Sequence, residues 1–259
     1  MSWDSPYQTP LFHEVLNNTG FRSVLYRTQK GVIYANNWIG NHLTAWEIPK
    51  DHYLNRSWRL CGLVFEEVVP YGKINIDDAS FYYTPIIKLD EAYRDDYSSV
   101  CRRNIAKAML CNLTFENIKY VDFIKHPRQL IQLILSAPMN CNGYSNDTFL
   151  KLVAEILNKG CGDLFVVRNE AGIIIAVCVL IVSDTTSNLR FSAIDRQYSS
   201  MRPMNYMIDQ LTLYYTRQGK KILDLSGFAT TNVTQDLQNI NRFKKAFTSQ
   251  YAAFKIINT

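Results

Sequence analysis

No two of the six cysteines (Cys61, Cys101, Cys111, Cys141, Cys161, Cys178) lie closer than ten residues, so the chain offers no Cys-x-x-Cys knuckle. The four histidines (His13, His42, His52, His126) form neither His-x-x-x-His nor His-Glu-x-x-His, which argues against a metal site and against a Ser-His triad. The longest apolar stretch, Ala171–Val182, is too short for a bilayer-spanning helix, which takes about 20 residues. The opening Met-Ser-Trp-Asp-Ser-Pro lacks the basic and then apolar run of a secretory signal. These absences lead to the expectation of a reduced cytoplasmic protein with no membrane span, no metal and no tightly bound cofactor.

What is present is the balance of a globular protein. Apolar residues make up 47% of the 259 and charged residues 20%, which excludes disordered and low-complexity classes. The length is close to that at which one core divides into two. Net charge is only +5, but its location is uneven. Residues 201–259 hold eight basic and three acidic residues, leaving residues 1–200 with 20 of each sign. A concentrated basic end points to an anionic small-molecule or nucleotide-linked partner; the plainer reading is a solvated basic surface.

Periodicity gives the order of elements. Thr9-Pro10 opens a short helix that Gly20 closes, and Ser23–Thr28 with Val32–Asn36 reads as a hairpin. Strand-like runs cover Leu60–Val69 and Ser80–Lys88, and a long polar helix is expected from Leu89-Asp90 to about Leu110. Thr114–Val121 reads as a strand, followed by helices over His126–Ser136 and Asp147–Asn158, the latter with Asp147 as its cap and Gly160 as its stop. Strands are predicted at Asp163–Arg168, Ile173–Val182, Leu189–Ile194, Lys221–Leu225 and Tyr251–Ile257. Helices are predicted between Pro203 and Gly219 and around Asn239–Phe247. From Thr114 onward this gives a mixed α+β sheet with helices on its faces.

That order is similar to the GNAT acyltransferase fold, and three motifs narrow the resemblance. Arg102-Arg103-Asn104-Ile105-Ala106-Lys107-Ala108 resembles a helix of the Fem-type aminoacyltransferases and their FemAB-like relatives. Leu223-Asp224-Leu225-Ser226-Gly227 resembles the family's strand ending in Asp-aromatic-x-Gly, and Asn241-Arg242-Phe243-Lys244-Lys245-Ala246-Phe247 its Phe-Lys-x-x-Phe helix. The resemblance covers most of residues 80–259. It implies a tandem GNAT-like fold with a degenerate N-terminal half (1–113) and a C-terminal half (114–259). The implied activity is transfer of an acyl or aminoacyl group from an activated donor, acyl-CoA or aminoacyl-tRNA, to an amine. A conventional acyl-CoA N-acetyltransferase and a catalytically degenerate binding module are the alternatives. No long heptad run is present of the kind some tRNA-handling members carry, so tRNA is a less expected partner than it is for those members.

Amine attack on an ester or thioester builds negative charge on the carbonyl oxygen, which needs a positioned donor, and the amine must lose a proton. The family-matched donor is Lys244, beside Phe243; alternatively Lys244 and Lys245 are the wet face of a short helix. Asp224 either orients the amine and accepts its proton or anchors a loop N–H, with Ser226 and Gly227 forming the acceptor-side turn. Arg103 and Lys107 share a helix face and Arg102 lies about 100° round, a cluster able to grip phosphate unless Asp95 and Asp96 pair with it. Arg242 completes the expected substrate contacts. Arg196, Ser199 and Ser200 occupy the stretch where ordinary GNAT enzymes bind the CoA pyrophosphate through a glycine-rich loop. This stretch, Arg196–Met204, contains no glycine.

Overall fold

The computed structural model describes residues 4–28, 31–36, 44–48, 61–74, 78, 80–137, 145–229 and 233–258; Leu60, His42, His52 and Cys141 lie outside them. The Thr9 hydroxyl accepts the Phe12 N–H and starts α1 (Pro10–Asn18), whose first residue needs no N–H. The hairpin β1 (Ser23–Thr28) and β2 (Gly31–Asn36) follows, then β3 (Thr44–Ile48), β4 (Cys61–Pro70) and β5 (Phe81–Lys88). After α2 (Ser99–Met109) come β6 (Thr114–Ile118), α3 (Tyr120–Phe123), α4 (Pro127–Leu135) and α5 (Asn146–Lys159). The chain continues through β7 (Gly162–Arg168), β8 (Ile174–Val182), β9 (Thr186–Ile194), α6 (Pro203–Arg217), β10 (Ile222–Asp224), α7 (Gln235–Lys245) and β11 (Gln250–Asn258).

Among the described residues the strands join into one mixed sheet in the order β1-β2-β3-β4-β11-β5-β10-β9-β8-β7-β6. Among the described strands only β3–β4 and β9–β10 run parallel. The last strand, β11, lies between β4 and β5 and pairs antiparallel with both, so residues 1–113 and 114–259 share one continuous sheet.

Helices cover both faces of β7 and β8, which is why Leu164–Val167 and Ile174–Val182 are continuous apolar runs rather than alternating. Leu164, Val166, Val177 and Val179 face a core shared with α1, α4 and α5. Their neighbours Phe165, Val167, Cys178 and Leu180 face a second core shared with α2, α6 and Phe247. Gly162 is required where α5 meets the sheet: a Cβ there would collide with the Leu180 carbonyl oxygen and with Ile156.

Several boundaries differ from the sequence expectation. The helix expected from Leu89 begins only at Ser99, because the Asp90 carboxylate accepts the Ala92 N–H and turns the chain, while the Ser98 hydroxyl accepts the Cys101 N–H and caps α2. Ser145, not Asp147, caps α5; Asp147 sits in its first turn. Thr234 caps α7 and starts it at Gln235, ahead of the expected Asn239. The strand expected to reach Val121 stops at Ile118, since Tyr120–Phe123 is helical.

Candidate functional site

The site forms where the sheet changes direction. β10 is parallel to β9 and antiparallel to β5, and its last residue, Asp224, lies opposite Asn188 on one side and Ile86 on the other. Asp224 is fully buried. Its carboxylate accepts hydrogen bonds from Asn188 Nδ2 at 2.7 Å, from the Ser226 N–H at 2.7 Å and from the Thr84 hydroxyl. Asn188 in turn accepts from the Tyr7 hydroxyl at 2.6 Å, so the N-terminal turn Pro6–Gln8 is tied to the same network.

Beyond Asp224 the chain makes a tight loop. Ser226 takes a left-handed φ of 62°, and a Cβ at Gly227 would stand 2.9 Å from the Tyr82 hydroxyl, so only glycine fits without displacing that ring. Phe228 then donates its N–H to the Tyr83 carbonyl. Helix α7 grips this loop with two side chains three residues apart. The Asn241 amide holds both the N–H and the carbonyl of Ala229. Lys244 Nζ donates to the carbonyls of Ser226 at 2.6 Å and Gly227 at 2.8 Å.

Burial raises the Asp224 carboxyl above the usual carboxylate range, against the opposing pull of its three hydrogen bonds and of Lys244. Burial also lowers the Lys244 ammonium to about 8, with Asp224 pulling the other way and Arg190 adding to the depression. An ammonium has three N–H groups, so two loop carbonyls leave Lys244 one further donor. Below about pH 8 Lys244 is charged in the folded and unfolded chain, whereas between 8 and its ordinary value of 10.5 the unfolded chain binds more protons, so stability gains as pH rises. Denaturant titrations from pH 7 to 10 should show this gain in the wild type relative to Lys244→Met; parallel curves would remove the shifted lysine.

Asp224, Ser226, Gly227 and Lys244 are thus brought together. Phe243 is half-buried, edge-on to Phe247 at 5.1 Å, and braces α7 against the second core. Arg242 is exposed and lines a cleft on another face of α7. Arg102, Arg103 and Lys107 are all exposed on α2, and among the described residues no ion pair joins them to Asp95 or Asp96. The link from α2 to the site is at its start, where the Ser98 N–H donates to the Ala246 carbonyl.

Arg196, Ser199 and Ser200 are exposed in a short 3-10 turn ahead of α6. The amides of this turn are largely engaged. Asp195 takes the N–H of Gln197 with its carboxylate and that of Tyr198 with its carbonyl, and Ser199 takes that of Arg202. Arg202 stands at φ 57°, and Pro203, the first residue of α6, has no N–H. Of the residues that sequence reasoning missed, Tyr7, Thr84 and Asn188 carry no motif and act through partners far away in the chain, whereas Asn241 opens the Phe-Lys-x-x-Phe segment but was given no role of its own.

No family model and no curated protein matches the sequence. Solved structures do. The chain is similar to FemX over 98% of its own length and 92% of that chain, at 11% identity and a TM-score of 0.66. It is similar to the C-terminal domain of a proposed lysylphosphatidylglycerol synthetase from Agrobacterium fabrum over 99% and 88%, at 12% identity and a TM-score of 0.64. L-PGS from Bacillus licheniformis matches over 97% and 92%, at 12% identity and a TM-score of 0.55. The chain has the fold of FemX, in keeping with the FemAB-like architecture that the three motifs imply. No described helix is long and apolar enough to cross a membrane.

Proposed function

We propose that this chain is an acyl or aminoacyl transferase acting from an activated donor onto an amine, with residues 1–113 and 114–259 as two GNAT-like halves, β11 of the second lying between β4 and β5 of the first. The observation that carries this reading is Lys244, half-buried at the end of the direction-changing strand and holding the Ser226–Gly227 loop with one N–H to spare. In the reaction the amine nitrogen attacks the donor carbonyl, a C–N bond forms, the C–O or C–S bond to the donor breaks, and the amine proton leaves with the donor or to solvent. Lys244 faces the negative oxygen of the tetrahedral intermediate as a charged donor, the kind of contact that is stronger in the transition state than in the ground state. Asp224, fully engaged with three protein donors, is a positioning residue that fixes the Ser226 turn beneath Lys244.

The donor reading favours an aminoacyl ester over acyl-CoA. A pyrophosphate needs several free amides converging at a helix N-terminus. Here the turn spends its amides on itself, the helix opens with proline, and the Asp195 carboxylate adds a negative charge. Calorimetry should therefore detect no acetyl-CoA binding at millimolar concentration, and tight saturable binding would restore the acetyltransferase reading. The transferase reading itself is tested by assaying charged tRNA and acyl-CoA panels against amine acceptors. Turnover of a charged-tRNA ester is the expected result; no turnover of any donor would favour the binding-module alternative, which the structural bonds of Lys244 also fit. The cytoplasmic location belongs to this same proposal.

A further inference from the structure

On a different face of α7 from Lys244 lies a cleft of about 400 Å³. Gln238, Asn241, Arg242 and Lys245 recur at helical spacing and form one wall, with Tyr71 and Phe228 opposite. Its size is within the roughly 300–1,000 Å³ typical of small-molecule sites. The aromatic wall is rigid: Tyr71 and Phe228 both pack against the fully buried Tyr251, with ring centroids 5.7 and 5.2 Å away. Lys245, although exposed, lays its Nζ 3.5 Å from the Tyr71 ring centroid.

The charge of this cleft is one-sided. Among the described residues no carboxylate lies within salt-bridge distance of Arg242 or Lys245. The only acid on α7, Asp236, is in its first turn, about 9 Å along the axis from Arg242. The helix C-terminus favours cations, which explains two basic residues there but not a lysine laid on an aromatic wall beside a cavity. Asn241 is committed to Ala229, whereas the Gln238 amide makes no hydrogen bond among the described residues.

We propose that this cleft binds a small organic anion, its phosphate or carboxylate head held by Arg242 and Lys245 and its flat apolar body seated against Phe228, with Tyr71 backing the Lys245 ammonium. Arginine supplies a planar fork for the head and lysine a point charge, while the ring faces exclude water from one side. The cleft floor and the Lys244 anchor are consecutive residues of one loop, 226–229. A body pressed on Phe228 therefore bears on the segment that Lys244 holds. The assignment of this anion as a substrate's handle rests on the transferase reading; the binding itself does not.

The test is calorimetric titration of the full chain at low salt with phenyl phosphate, phenylacetate, inorganic phosphate and benzyl alcohol. Phenyl phosphate or phenylacetate should bind more tightly than either inorganic phosphate or benzyl alcohol, and the tighter of the two identifies the head group. The double substitution Arg242→Ala/Lys245→Ala should weaken that binding about tenfold or more, while Lys119→Ala, exposed just after the edge strand β6, leaves it unchanged. Both replaced side chains are exposed, and circular dichroism checks that the fold is kept. Equal binding of inorganic and phenyl phosphate, an unaffected double variant, or no binding at millimolar concentration would overturn the proposal. Loss of this binding with transfer intact leaves the transferase reading standing; binding without transfer does the reverse.

Discussion

Replacing Lys244 by alanine is expected to lower the transfer rate about 10²–10³-fold, the usual cost of removing one donor to a developing oxyanion. The loss should fall mainly on kcat, with KM moving less, since the third N–H acts on charge that exists only in the transition state. The two N–H groups bound to Ser226 and Gly227 add a second route to the same loss, because without them the loop is untied from α7. Lys244→Arg separates the two routes. Its guanidinium keeps the charge and can still reach loop carbonyls, so a stable variant with little activity assigns the larger part to the exact placement of the ammonium on the oxyanion, whereas full recovery of rate means that any charged donor tied to the loop serves. A Lys244→Ala variant with unchanged kcat would remove Lys244 from the chemistry.

The second large effect is on stability. Asp224→Ala leaves the Thr84 hydroxyl, the Asn188 amide and the Ser226 N–H without their acceptor in a fully buried site, at about 1–3 kcal/mol for each orphaned group. It also leaves the half-buried Lys244 without its neighbouring negative charge. We expect the chain to lose about 3 kcal/mol or more, read as a fall in denaturant midpoint at unchanged slope. Asp224→Asn keeps one acceptor oxygen and should lose less. A midpoint equal to wild type in both variants would mean that the network at the end of β10 holds nothing together.

Both effects rest on residues that the sequence made visible to different degrees. Long apolar or strongly periodic segments were legible: Met207, Ile208, Leu211 and Tyr215 on α6 are all fully buried, as their spacing requires. The hairpin of β7 and β8 was legible because the turn residues Asn169–Gly172 separate two apolar runs. The stretch before α2 misled because its charged residues carry helix propensity, while the capping hydroxyl of Ser98 decides where the helix begins. The insertion of β11 between β4 and β5 pairs residues more than 150 positions apart, and nothing local in Tyr251–Ile257 encodes a partner.

The site was legible only as a pair of family motifs. Asp224 and Lys244 stood out through them, but their surroundings did not. Thr84 and Asn188 reach Asp224, and Tyr7 reaches Asn188, from three separate elements, and all three are ordinary residues in their own segments. Adjacent Lys244 and Lys245 carry the same sequence signal, yet one turns inward onto loop carbonyls and the other lies over Tyr71. α7 has no fully buried residue to declare its inner face, so periodicity alone could not say which lysine does which.

The central claim is that a charged Lys244 acts on the reacting carbonyl. Its most direct test is the pH profile of kcat/KM for the wild type against Lys244→Met, measured with whichever donor the panel identifies. The ammonium is lost as pH rises through its value of about 8, so the wild type should show a falling limb there that the variant lacks. Superimposable profiles, differing in neither height nor shape, would contradict it.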